Sequence, residues 1–477
     1  MEMKRPLVQR LIEFNEQQPI SFHVPGHKHG AISGLPKAIR NMLSFDMTEV
    51  NGLDDLHQPE EVIKEAQEEL QKLYQSDASY FLVNGSTVGN LAMIYATCHA
   101  GDEVLVQRNA HKSVFNGLEL VGAKSILLSP EWDEYSKTAT FVALETVQKG
   151  LELYPNAKAV ILTSPTYYGI VDENLENLIG YCHQKNIPVL VDEAHGAHFI
   201  THPLFPKSAL DCGADVVVHS AHKTLPAMTM ASYLHVKSSL VSNKKVNKYL
   251  RMLQSSSPSY VLMASLDDAR AYAASYEDVD YEVLQRERQD LIDHLHTHDG
   301  LIVKEVDDSL KLLLRAEGYS GFQLLRALEE FNIYVELADP YQVLLVLPLI
   351  KLRDSYSFSE MMPKFGQALH WLKEMEQEDS SIVMLPNQNL VTELVYHPEQ
   401  LEEFRAEWVD FINAIDKVAA ETIIPYPPGI PLMIAGERIS KEAIENLKAL
   451  IEMKARFHGE LDVGAQQLLV IEEKVGE

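Results

Sequence analysis

Between about residues 78 and 236 the chain alternates short, continuously apolar runs with longer stretches whose apolar positions recur at helical spacing. The runs are YFLV (80–83), EVLV (103–106), SILL (125–128), AVILT (159–163), PVLVD (188–192), VVVH (216–219) and SYLHV (232–236). A strand that is apolar at every position is buried on both faces. Such runs, separated by amphipathic helices, predict a doubly wound α/β domain with a mostly parallel sheet. In such sheets ligands collect at the carboxyl ends of the strands, so the residues that follow each run are the candidates for chemistry.

After about residue 275 the pattern changes. LIVKEV, KLLLRA, IYVELAD and QVLLVLP surround one clear helix, GFQLLRALEEF, which predicts a smaller α+β unit. From about residue 375 an acidic run, EMEQED, and the turn-rich PYPPGIP (425–431) mark a third unit. The expected organisation is an N-terminal arm over 1–45, a large domain over 46–275, a small domain over 276–375 and a C-terminal domain over 376–477. The opening segment, MEMKRPLVQRLIEFNEQQP, carries charges through its apolar positions, so it reads as a short amphipathic helix and not as a signal peptide. The longest apolar stretch, Val343 to Ile350, is far shorter than the roughly 18 residues needed to cross a bilayer. No transmembrane segment and no fixed-period repeat is expected.

Composition narrows the function classes. At 477 residues the chain has length for several domains, and 46% hydrophobic with 23% charged residues is the composition of a soluble globular protein. The 41 Lys+Arg against 69 Asp+Glu leave a net charge of −28, which repels nucleic acid and anionic membranes and is compatible with a cationic substrate. Cys98, Cys182 and Cys212 are an odd number with no CxxC spacing, so neither a disulfide framework nor a thiolate zinc site is expected, and the cytoplasm is the expected compartment.

Three strand ends carry specific chemistry. YFLV runs into Asn84-Gly85-Ser86-Thr87-Val88-Gly89-Asn90 and then a helical pattern. A small polar turn at a helix N-terminus is an anion site, though a plain capped helix gives the same string. PVLVD leads into Asp192-Glu193-Ala194-His195-Gly196-Ala197-His198, which offers a carboxylate as base, ligand or partner for a protonated ring nitrogen. The DEAH string alone suggests a helicase, but the chain has no GxxxxGK[ST] loop. A metal site from Asp192, His195 and His198 with His23, His27 and His29 is a further reading. VVVH runs into Ser220-Ala221-His222-Lys223-Thr224. A lysine at the buried end of an apolar strand is costly unless it is ion-paired, neutralised or used covalently. Phosphate turn, strand-end carboxylate and lysine together are the three anchors that pyridoxal phosphate needs.

The sequence resembles the Orn/Lys/Arg decarboxylases, pyridoxal-phosphate enzymes of the aspartate-aminotransferase-like fold type I. The resemblance rests on HVPGHKHG (23–30), DMTEVNGLDDLHQPEEVIKEAQ (46–67), VNGSTVGN (83–90), RNAHKSV (108–114), SPTYYG (164–169), VDEAHGAH (191–198), HSAHKTLPAMT (219–229), QSSSPSY (254–260) and PYPPGIP, spread over almost the whole chain. It matches the short bacterial members, without the extra N-terminal receiver-like domain. The resemblance implies that Lys223 takes the cofactor's aldehyde, that Asp192 holds the pyridine nitrogen, and that Ser86, Thr87, Ser220 and His222 bind the phosphate. It also implies His111 stacked on the ring and His195 near the phenolic oxygen. Ser255, Ser256 and Ser257 resemble a segment that reaches the neighbouring subunit's phosphate, so a homodimer or larger homo-oligomer is expected, with Ser256 as a cofactor contact.

The implied reaction is decarboxylation of a basic amino acid, with arginine giving agmatine and CO2, a step of polyamine synthesis, and with lysine or ornithine as alternatives. A non-catalytic regulatory protein that binds the same cofactor is the rival of another class, and a metal-dependent hydrolase the third. Lys223 or His222 is the expected proton donor to the α-carbon. Glu437, or else Asp46, Glu49 or Asp54, is the expected acceptor for the substrate's distal cation, and no metal is expected.

Overall fold

The computed structural model describes residues 3–377, 389–401, 403–425 and 429–472. The turn residues 426–428 of PYPPGIP and residues 378–379 of the acidic run lie outside them. The chain forms two compact units, residues 1–97 with 179–278 and residues 98–178 with 279–477.

In the first unit four strands lie in the order Ala78–Leu82, Ser232–Val236, Val216–His219 and Val189–Asp192. The last two are parallel, with Asp192 opposite Val218, and the other neighbours pair antiparallel. The strands Val189–Asp192, Val216–His219 and Ser232–Val236 are buried at every position, their few polar residues included, the condition for burial on both faces. The helices Gly85–Thr97, Val62–Tyr74 and Tyr260–Ala274 supply cover. The helix Pro6–Glu16 forms as its amphipathic pattern predicts, burying Leu7 and Leu11. Asp267 caps its start, accepting from the N–H groups of Leu7 at 3.0 Å and Val8 at 3.4 Å.

In the second unit Ala159–Thr163, Glu103–Gln107 and Lys124–Leu128 are parallel neighbours in that order, and Val391–Glu393 adds an antiparallel edge that the apolar pattern does not announce. A separate antiparallel sheet follows, in the order Leu301–Glu305, Lys311–Ala316, Val343–Val346 and Leu337–Ala338. GFQLLRALEEF becomes the helix Gly321–Glu330, opened by a reciprocal cap between Ser320 and Gln323. The C-terminal part has its own core, where Phe411, Ile423, Met433, Leu447 and Val470 pack together. Among the described residues no helix is long and apolar enough to cross a membrane.

Candidate active site

The helix Gly85–Thr97 follows the strand Ala78–Leu82 after a two-residue turn. Gly89 lets it lie close to the sheet, since a Cβ there would stand 2.8 Å from both Leu82 Cδ1 and Val218 Cγ1. That approach brings the first turn of the helix to the carboxyl end of Val216–His219, where Ser220 Oγ donates to Ser86 Oγ at 2.8 Å. Ser220 is buried, Ser86 half-buried and Thr87 exposed. Unpaired N–H groups of a first helical turn together with hydroxyls form a cradle for an anion.

Asp192 ends its strand only 3% exposed. Asn90 Nδ2, one turn into the cradle helix, donates to its Oδ2 at 2.8 Å, and the Ala194 N–H donates to Oδ1 at 3.2 Å. Lys223 sits half-buried in the short helical turn Ala221–Thr224, with Nζ 2.9 Å from His195 Nε2. His222 donates from Nδ1 to the carbonyl of Ala231 at 3.0 Å. That nitrogen is spent on the backbone, so any exchange with a substrate runs through Nε2.

Other candidates have their own surroundings. The Ser255–Ser257 turn is exposed, and Ser255 N donates to Asn84 Oδ1 at 3.1 Å, beside the cradle. His111 belongs to the second unit, where its ring caps the helix Lys112–Val121 and its Nδ1 meets Ser113 Oγ at 2.8 Å. Glu437 is in the same unit and holds Arg108, with Nε to Oε1 at 3.2 Å and Nη2 to Oε2 at 2.8 Å, and its Oε2 also accepts from Ile434 N at 3.1 Å. Arg108 donates further to the carbonyls of Pro431 and Leu432. A substrate cation would therefore have to compete with a guanidinium for Glu437. Asp54 is committed as a helix cap, accepting from the N–H groups of Asp55, Glu60, Glu61, Ile63 and Lys64. Asp46 lies 3.0 Å from His27 Nε2. Glu49 takes one hydrogen bond on Oε2 from Thr48 at 2.7 Å, and its buried Oε1 has no hydrogen-bond partner.

Among the described residues no three metal-ligating side chains form a group, and His198 packs edge-on against Phe199 and Phe205. Asn90 and Arg108 stood inside quoted motifs without a role, and only their partners in space reveal one.

An anion cradle, a buried hydrogen-bonded carboxylate and a half-buried amine, linked within one unit, match the phosphate, ring nitrogen and aldehyde of a single cofactor. The donor set fits pyridoxal phosphate, and fold and site define a fold-type I enzyme of that cofactor.

The family described as Orn/Lys/Arg decarboxylase, major domain, matches residues 5–300, and the one described as Orn/Lys/Arg decarboxylase, C-terminal domain, matches residues 369–463. The chain is 46% identical to the uncharacterized protein YaaO of Bacillus subtilis (strain 168), over 99% of this chain and 100% of that one. It is 33% identical to an arginine decarboxylase of Halalkalibacterium halodurans, over 98% of each. Among solved structures it is similar to the Francisella novicida lysine decarboxylase LdcF, with a TM-score of 0.79 at 20% identity, covering 98% of this chain and 81% of that one. The chain belongs to the Orn/Lys/Arg decarboxylase family. It is a pyridoxal-phosphate-dependent amino-acid decarboxylase with the aspartate-aminotransferase-like fold.

Proposed function

We propose that the chain decarboxylates arginine, giving agmatine and CO2. The observation that carries the reading is the Lys223 amine against His195, in the same unit as Asp192 and the Ser86–Ser220 cradle. Pyridoxal phosphate, when bound, supplies an electron sink for the pair left behind as CO2 departs. Ser86, Thr87, Ser220 and His222 would hold its phosphate, and Lys223 would hold its aldehyde. Asp192, fixed by Asn90 and Ala194, keeps a proton on the ring nitrogen. Lys223 Nζ or His222 Nε2 returns a proton to the α-carbon, and His195 orients Lys223 Nζ.

A relative named arginine decarboxylase, 33% identical over 98% of each chain, supports arginine over lysine or ornithine. For the distal cation, Glu49 is favoured among the four carboxylates, because its Oε1 is buried with no hydrogen-bond partner while Asp54 and Glu437 are engaged. A homodimer accompanies this reading. Ile20, Phe22, Val24 and Ile32 of the N-terminal arm are 62–97% exposed, more apolar surface than an isolated arm leaves to water, and the exposed Ser256 turn is available to a second subunit's phosphate. The cytoplasm is the compartment we assign.

Agmatine, cadaverine and putrescine formation measured with all three amino acids tests the reading, and agmatine should dominate. Lys223→Ala should abolish turnover and the label left by borohydride reduction of the loaded enzyme, while the chain still folds. Turnover at the wild-type rate, or a label on another lysine, refutes the assignment. Glu49→Gln should raise KM for arginine more than Glu437→Gln does, and sedimentation of the wild type should give at least a dimer.

A further inference from the structure

Glu193 follows Asp192 directly and is fully buried, yet no step above uses it. A carboxylate taken out of water is costly unless donors replace the water. Here three do. Oε2 accepts from Ser208 Oγ at 2.6 Å and from His219 Nε2 at 2.7 Å, and Oε1 accepts from the Ala209 N–H at 2.8 Å. His219 is itself fully buried, ends the strand Val216–His219 and stands just before the Ser220–Lys223 turn. Its ring is packed between Tyr74, with centroids 5.1 Å apart, and His235, at 5.0 Å. The Glu193 N–H donates to Val218 O at 2.9 Å, so backbone and side chain of one residue both grip the neighbouring strand. Gly196 lies so close that a Cβ there would meet Glu193 Cγ at 2.7 Å.

We propose that Glu193 is a positioning residue that locks the end of the Asp192 strand to the root of the Lys223 turn. The spacing between the carboxylate that holds the ring nitrogen and the amine that takes the aldehyde is then set before the cofactor arrives. This rests on the assignment of Asp192 and Lys223 to pyridoxal phosphate. All three partners of Glu193 donate, which suits a carboxylate, whose oxygens only accept. A glutamine would point its NH2 at one of those donors and lose at least one bond.

The test is a titration of the cofactor-free chain with pyridoxal phosphate, followed by absorbance, with circular dichroism to check folding. Hydrogen bonds to a charged group contribute about 1.5–3 kcal/mol, so Glu193→Gln should weaken cofactor affinity by roughly tenfold or more. His219→Gln keeps a donor close to the position of Nε2 and should bind within about threefold of wild type, whereas His219→Leu, similar in bulk but without a donor, should lose as much as Glu193→Gln. Ser208→Ala, which removes one donor of three, should show a smaller loss. Equal losses in the glutamine and leucine variants of His219 would overturn the proposal in favour of ring packing, and wild-type affinity throughout would reduce Glu193 to a structural role. If Glu193→Gln fails to fold, the His219 pair and Ser208→Ala decide, and wild-type affinity in Ser208→Ala would then count against the lock. A wild-type chain that takes up no cofactor defeats the functional reading, whereas normal loading on Lys223 with unaffected variants defeats only the positioning role.

Discussion

Asp192 is a carboxylate held in place with little water around it. Two donors, Asn90 Nδ2 and Ala194 N, fix it at the end of a strand where 3% exposure leaves little water to screen its charge. Under the proposed role, Asp192→Asn keeps the shape and loses the charge that would keep the cofactor's ring nitrogen protonated. Removing one preorganised electrostatic contact typically costs about 3–4 kcal/mol in activation free energy, so kcat of the loaded variant should fall by roughly 10²–10³. A kcat within about threefold of wild type would take Asp192 out of the mechanism. Histidine motifs in the sequence allow metal binding; among the described residues no three metal-ligating side chains form a group.

Among the elements, the helix Gly85–Thr97 carries the Ser86–Thr87 string and sets how it meets the sheet. Its apolar composition says only that it is buried; Gly89 decides how near it comes to the strands that carry Leu82 and Val218. Gly89→Ala inserts a methyl group 2.8 Å from two side chains in a filled core. Overpacking of this kind costs about 1–3 kcal/mol, and the helix should shift outward and take Ser86 and Thr87 with it. Thermal unfolding should show the lower stability, and the same variant should bind inorganic phosphate and cofactor more weakly. Unchanged affinity at lowered stability would mean that the helix start does not form the phosphate cradle. The cap made by Asp54 is a second element-level device, and Asp54→Ala should cost about 1–2 kcal/mol of stability through the helix Val62–Tyr74.

For the whole molecule, long-range pairs tie distant sequence together. Arg108, three residues before His111, reaches Glu437 across more than three hundred positions, and each side chain is 13% exposed. A bidentate pair shielded from water should act as a unit, so Arg108→Ala and Glu437→Ala should each destabilise the chain, and the double variant should lose less than the sum by about 1–3 kcal/mol in a denaturation cycle. Strict additivity would show that the two do not work together. Acid sensitivity has a traceable source in His235, which burial, with a smaller contribution from His219, holds well below its ordinary value. The unfolded chain takes up a proton there below about pH 6.5 while the folded chain does not, so this stability is complete above that value and is lost as the pH falls. His235→Gln should flatten the fall in unfolding free energy between about pH 6.5 and 5, by up to about 1.4 kcal/mol per pH unit. An unaltered slope in urea titrations at several pH values would assign the acid sensitivity to other groups.

Continuous apolar runs such as AVILT and VVVH determined by themselves that strands would be buried on both faces, because such runs have no polar face to give to water. Lys223, Asp192 and the Ser86–Thr87 turn were legible for the same reason, as polar groups placed where an apolar strand ends. The short edge strand Val391–Glu393 was not, since its strand state comes from pairing with Lys124–Leu128 and not from its own pattern. Nor could the sequence show that Asn90 fixes Asp192, that Glu193 joins His219, or that Glu437 turns to Arg108. Local composition determines which residues are buried, whereas the partner of a buried charge depends on which strand ends and loops the fold brings within about 3 Å, and only tertiary structure decides that.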